Sequence, residues 1–312
     1  MSLKFLFRLL ISVGVLAAIL VRADMGALGS YLGKVSGSYV PGILGLGIGQ
    51  VLLTSMRWHL MLRAVGVRLP RRVTLEANVL SILGNSLLVN VVGGMMVRVG
   101  MLRVHGVPSG KVVSTSLLER LQVAAVLLVM TIGGVFWFHA DLRLAVSSDD
   151  FRRIAALALV AVPLAALVFY GTNEVIRQQF RRVADYLRNV VHDLRAMVLD
   201  YRSLAGALGY TVASQLCIIG MAVLIGRAIG LPMSPVDLAM VLPLVALLSS
   251  LPVSLSGFGV REFSLVLILP MFGVPGEAAL ALGLLIGLFA LSSALLSQLA
   301  VSLLRSARDG AG

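Results

Sequence analysis

Six stretches of this chain are too long and too apolar to belong anywhere but in a lipid bilayer: residues 3–21, 41–62, 114–138, 153–170, 204–229 and 277–304. An α-helix rises 1.5 Å per residue, so about 20 apolar residues cover a hydrocarbon core of about 30 Å, and these runs reach or approach that length. With 59% hydrophobic and 13% charged residues, too little polar surface exists to solvate a water-facing domain. The fold class expected is all-α: a polytopic transmembrane helical bundle in which residues 1–312 form a single integral membrane domain. Lys4 and Arg8 give the first run the look of a secretory signal. Arg22-Ala23-Asp24-Met25 after it is no small-residue cleavage site, so a retained first helix is expected.

Several function classes fall away. A single cysteine, Cys217, allows no internal disulfide, and His59, His105, His139 and His192 are scattered without ligand spacing, so neither a metal nor another cofactor is expected. No strained-turn nucleophile motif or phosphate-binding loop occurs, and Ser254 and Ser256 have no histidine nearby in sequence, so the chain is not expected to be an enzyme.

The net charge of +12 is concentrated in short loops beside apolar runs, where it sets membrane orientation rather than nucleic-acid binding. Residues 63–72 hold four arginines and no acid, residues 98–111 hold three Lys or Arg, and residues 177–202 hold six arginines against three aspartates. These loops read as cytoplasmic. The cation-poor loops around Asp24, around Asp149 and Asp150, and near Asp237 and Glu277 read as external. The expected protein lies in a bacterial-type inner membrane with both termini cytoplasmic. Within residues 174–202, apolar positions recur at helical spacing among arginines, the pattern of an amphipathic helix on anionic headgroups or of a solvated connector.

Two segments, about 74–103 and 236–272, each pair two short apolar stretches around a Gly/Ser/Asn-rich break. They share a step: Gly94-Met95-Met96-Val97-Arg98 in one, Gly257-Phe258-Gly259-Val260-Arg261 in the other. Halves of about 15 residues reach only about 22 Å, so re-entrant hairpins are expected. Loop charges have them enter from opposite faces, as in an inverted repeat. Broken segments in corresponding positions point to a midplane substrate site, since irregular backbone at that depth must line a polar cavity or be buried in protein. The alternative is that the glycines only permit close helix packing.

The stretch Pro252-Val253-Ser254-Leu255-Ser256-Gly257-Phe258-Gly259-Val260-Arg261-Glu262 resembles a signature of the flippase-like membrane region of lysylphosphatidylglycerol synthases. Asn85, Gly93-Gly94, Arg98 and the Glu119-Arg120 pair are similar to that family's other motifs, with departures at Val89, usually proline, and Met95, usually an acid. The resemblance implies a lipid translocator, or a non-transporting subunit that presents lipid to a separately encoded transferase. Only residues 304–312 follow the last run, so the cytoplasmic aminoacyl-transfer domain of the two-domain synthases is expected to be absent.

Such a transporter would move an anionic phospholipid or a polyprenyl-phosphate-linked lipid. Arginine suits a phosphate because its planar fork makes bidentate, charge-assisted hydrogen bonds. The candidate headgroup residues are Arg98, Glu119, Arg120, Arg261 and Glu262, with Asn85, Asn90, Ser254 and Ser256 as further donors. Gly93, Gly94, Pro252, Gly257 and Gly259 would form the hairpin turns. For the arginines the alternatives are snorkelling at helix ends and a structural ion pair. The expected partners are membrane lipids, with room for a transferase or a second copy of the chain.

Overall fold

A computed structural model of the protein describes residues 23–87, 93–140, 193, 195, 200–250 and 259–309. Its helices are α1 (Met25–Gly33), α2 (Val40–Ala64), α3 (Arg71–Leu87), α4 (Gly93–Arg103), α5 (Ser109–Ala140), α6 (Tyr201–Ala228), α7 (Pro235–Ser249), α8 (Val260–Ile268) and α9 (Gly276–Asp309). A 3-10 turn, Leu269–Phe272, extends α8. Among the described residues the structure is helical without strands.

Four helices are long and apolar enough to cross a membrane, over Val40–Ala64, Ser109–Trp137, Tyr201–Ala228 and Gly276–Leu304. They coincide with four of the six apolar runs; 3–21 and 153–170 lie outside the described residues, as does most of 174–202. The apolar side chains exposed along these helices, such as Leu121, Leu128, Ile132 and Phe136 on α5 and Leu288, Leu295, Leu299 and Leu303 on α9, recur every three to seven residues. That is the stripe a spanning helix turns toward lipid, where apolar exposure costs nothing. The protein is a multi-pass helical membrane protein.

The chain divides into two compact units, one built from residues 1–43, 124–172 and 219–288, the other from 44–123, 173–218 and 289–312. Each contains one interrupted segment. In the second unit α3 and α4 pack against each other across the break at 88–92. Gly94 makes that approach possible: a Cβ there would lie 2.5 Å from the Ser81 carbonyl oxygen and from Asn85 Oδ1. Around this pair Trp58 and Leu62 of α2, Ala77 of α3, Leu102 of α4 and Val112 of α5 form a buried apolar core. Met61, Leu118 and Ala207 form a smaller one that ties in α6.

In the first unit α7 starts cleanly because Ser234 caps it, accepting from the Asp237 N–H at 3.1 Å, with Pro235 in the first turn. Trp137 Nε1 donates to Asp237 Oδ1, fastening α5 to that turn. α7 packs on α8 across the break at 251–258, and Leu265, Ile268 and residues 278–282 of α9 are almost fully buried. Pro243, inside α7, removes one backbone donor from the helix. The halves measure 17 and 11 residues in one segment, 15 and 9 in the other. All fall short of the 20 or so that a crossing needs.

Candidate functional site

Within the second unit, α2 carries a polar patch in the C-terminal part of its apolar run: Thr54, Ser55, Arg57 and His59 are all buried. Thr74, Asn78, Ser81 and Asn85 on α3 are spaced by four, three and four residues, which places them on one helix face. Thr54 and Ser55 each spend their hydroxyl proton on the Val51 carbonyl, leaving lone pairs that accept from Asn78 Nδ2 at 3.2 and 2.9 Å. With its NH2 committed, Asn78 turns Oδ1 toward Arg98, whose Nη2 donates to it at 2.5 Å.

Arg98 is the hub. Its Nη1 donates to Glu119 Oε2 at 2.5 Å and to Ser116 Oγ at 3.2 Å, both on α5, and its guanidinium lies 4.2 Å from the centre of the Trp58 ring. Trp58 is itself held by a hydrogen bond from Nε1 to Thr115 Oγ1. Arg57 Nη2 donates to the other oxygen of Glu119. One carboxylate thus serves two arginines, one on each oxygen, and all three side chains are at least nine-tenths buried.

The charges in this cluster do not cancel. Two guanidiniums face one carboxylate, leaving one positive charge in excess. Arg57 Nε and Arg98 Nε have no hydrogen-bond partner among the described residues, and neither do the amide N and O of Gln122, one turn beyond Glu119 on α5. A lone charge near the bilayer centre costs about 2.5–3.5 kcal/mol on insertion scales, and a buried unsatisfied polar group about 1–3 kcal/mol. Chemically the arrangement is an electropositive, closely packed cluster with two unsatisfied guanidinium N–H donors, suited to an anion carrying several acceptor oxygens.

The sequence candidates are distributed unevenly over this geometry. Arg98 and Glu119 meet in the cluster; Arg98 is buried and does not snorkel. Arg120 is exposed, because consecutive helix positions point about 100° apart and burying Glu119 turns its neighbour outward. Asn85 Oδ1 accepts from the Gly94 N–H at 3.0 Å, so it braces the start of α4. Gly93 and Gly94 open that helix. In the other unit, Glu262 is fully buried: Oε2 accepts from the Gly259 N–H at 2.7 Å, and Oε1 accepts from Arg261 Nη2 at 2.5 Å. That carboxylate closes the first turn of α8, and Gly259, at φ +86°, supplies the left-handed entry that favours glycine. Asn90, Pro252, Ser254, Ser256 and Gly257 lie outside the described residues, as does Val89.

Arg57, Asn78 and Ser116 belong to the cluster without having been singled out from sequence. Arg57 had a visible signal, an arginine well inside a spanning run. The α3 residues had another, their shared face.

A separate ion pair anchors the start of α5: the half-buried Lys111 Nζ and Ser114 Oγ both donate to Asp193, which is 1% exposed. Asp193→Asn is expected to lower stability by about 1–3 kcal/mol, since Lys111 loses its charge partner and one hydrogen bond loses an ionic acceptor. The thermal unfolding midpoint in detergent, measured by circular dichroism, checks this; an unchanged midpoint would mean that the contact contributes nothing net.

Comparison with curated proteins and with solved structures returns no match. The sequence model of the lysylphosphatidylglycerol synthase TM region, in contrast, matches residues 5–297, nearly the whole chain and both interrupted segments. The paired half-helices, with the arginine-bearing second half of each, fall inside that match, as do the spanning helices but for the end of α9, and the chain belongs to the lysylphosphatidylglycerol synthase transmembrane-region family.

Proposed function

We propose that the protein is a lipid transporter of the flippase type, moving an anionic phospholipid or a polyprenyl-phosphate-linked lipid across a bacterial-type inner membrane. Family membership supports a role with membrane lipids. The observation that carries the finer reading is the buried cluster of Arg57, Arg98 and Glu119, with its excess positive charge and unsatisfied donors. A phosphate diester entering it would balance the charge and fill the free Nε–H positions, while its tails stayed in lipid.

In this reading the α3–α4 and α7–α8 segments are re-entrant hairpins. Loop charges assign the first to the cytoplasmic face and the second to the external one, with both termini cytoplasmic. The protein does no covalent chemistry of its own. It carries substrate by alternating access, and Glu119 releases one arginine when the phosphate arrives.

The test is translocation of fluorescent phospholipid and polyprenyl-phosphate probes in proteoliposomes, comparing wild type with Arg98→Lys at matched reconstitution. Lysine keeps the charge against Glu119 but loses the fork that reaches Asn78 and Ser116 together. One charge-assisted hydrogen bond is worth about 1.5–3 kcal/mol, so movement of the anionic probe is expected to fall at least about tenfold with the fold intact. Movement unaffected by the substitution would remove Arg98 from the site. No movement of any probe from well-folded wild type would reassign the chain as a subunit that presents lipid to a separate transferase.

A further inference from the structure

The turn between α2 and α3, in the second unit, forms an open surface cavity of about 600 Å³ lined by the buried His59, by Leu69 and Pro70, and by the exposed Arg63, Arg68 and Arg71. It stands apart from the Arg57–Glu119–Arg98 cluster in its residues. We propose that this cavity is a second anion site, one that takes a phosphate group at the membrane boundary.

The cavity wall is a fixed structure. Gly66, at φ +85°, ends α2; its N–H donates to the Arg63 carbonyl, and the Val67 N–H donates to that of Leu62. Val67 and Leu69 then pack on the Trp58 core, on either side of the exposed Arg68. Pro70 leads into α3, its carbonyl accepting from Val73 and Thr74.

The charges point to an occupant. Three arginines line one cavity, and two consecutive arginines, Arg71 and Arg72, occupy the first turn of α3, which contains no acid. A helix amino terminus already carries about half a positive charge, so cations there are unfavourable unless an anion joins them. The floor is polar as well. Thr74 gives its hydroxyl proton to the Arg71 carbonyl at 2.8 Å, so the 3.1 Å bond between His59 Nδ1 and Thr74 Oγ1 has the imidazole as donor. That leaves His59 Nε2 to accept from a protonated phosphate oxygen, or to donate once the ring is charged. The exposed Asp200 carboxyl is held below its ordinary range by hydrogen bonds from Ser203 and, after these, by Arg63 and Arg202. An arriving phosphate would compete with Asp200 for Arg63.

Two sources share this chemistry: the phosphate of an anionic lipid headgroup, and a free phosphate or soluble phosphoester. The full chain, purified in detergent, would be titrated with phosphatidylglycerol or phosphatidic acid and read by native mass spectrometry, and separately with inorganic phosphate and glycerol phosphate, read by thermal shift. Arg68→Gln and Arg71→Gln remove two lining charges; Arg72→Gln removes the same charge from the same turn but outside the lining. Retained lipid that falls at least about tenfold in Arg68→Gln and Arg71→Gln but not in Arg72→Gln, with no competition from phosphate, would identify a headgroup site. Stabilisation by phosphate with the same variant pattern would identify a soluble ligand. No binding of either probe, or an equal effect of all three substitutions, would overturn the proposal and leave these arginines as determinants of orientation only.

Discussion

Glu119→Gln is expected to cost about 3–5 kcal/mol of stability, the magnitude associated with stranding a buried charge. Glu119 is the one carboxylate that answers both Arg57 and Arg98. Making it a neutral amide leaves two guanidiniums about one carboxamide apart, in a site with Trp58 and the apolar core around them. The readout is the thermal midpoint in detergent together with the yield of monodisperse protein. The companion substitution goes the other way. Arg57→Met leaves Glu119 paired with Arg98 and brings the cluster to neutrality, so its effect on stability is expected to stay within about 1 kcal/mol. If the excess charge exists to receive a phosphate, translocation of the anionic probe should nevertheless fall in Arg57→Met. A loss of stability in Arg57→Met as large as in Glu119→Gln would mean that the second arginine is a structural partner, and the anion site would lose its rationale.

Gly94→Ala is the second large effect expected. The added methyl would sit 2.5 Å from the Ser81 carbonyl oxygen and 2.6 Å from Ser81 Oγ, well inside any real contact distance. The obstruction is α3 backbone, which no change of rotamer relieves, so α3 and α4 must separate. Overpacking typically costs about 1–3 kcal/mol. The functional cost is larger than the stability cost, because parting the helices also breaks the bond from the Gly94 N–H to Asn85 and draws Arg98, one turn further on, away from Asn78 and Glu119. Disulfide crosslinking of paired cysteines placed on the facing sides of α3 and α4 would report the separation directly. Efficient crosslinking in Gly94→Ala at the wild-type rate, with unchanged translocation, would show that the close approach is dispensable.

Sequence by itself determined the solvent, the class and the family. Hydrophobic runs at the length of a bilayer leave a chain no soluble alternative, and four of them appear as the four long apolar helices. The pairing of short halves in α3–α4 and α7–α8 was equally legible, since each apolar stretch is too short to cross a bilayer by itself. Arg98 and Glu119 stood out for a similar reason: charges near apolar runs are costly and rarely idle.

Tertiary structure decided which charges meet. Glu119 lies 62 residues from Arg57 and 21 from Arg98, and nothing local in any of the three segments specifies that α2, α4 and α5 bring them to one point. Packing around Trp58 does that. Burial also separated neighbours that sequence had joined: Glu119 turns inward and Arg120 outward because a helix gives adjacent residues different faces. Asn85 is likewise drawn to backbone, because the start of α4 presents an N–H within its reach. Hydropathy is a one-dimensional property and survives in the sequence. Charge balance belongs to a three-dimensional neighbourhood, and it exists only once the helices have packed.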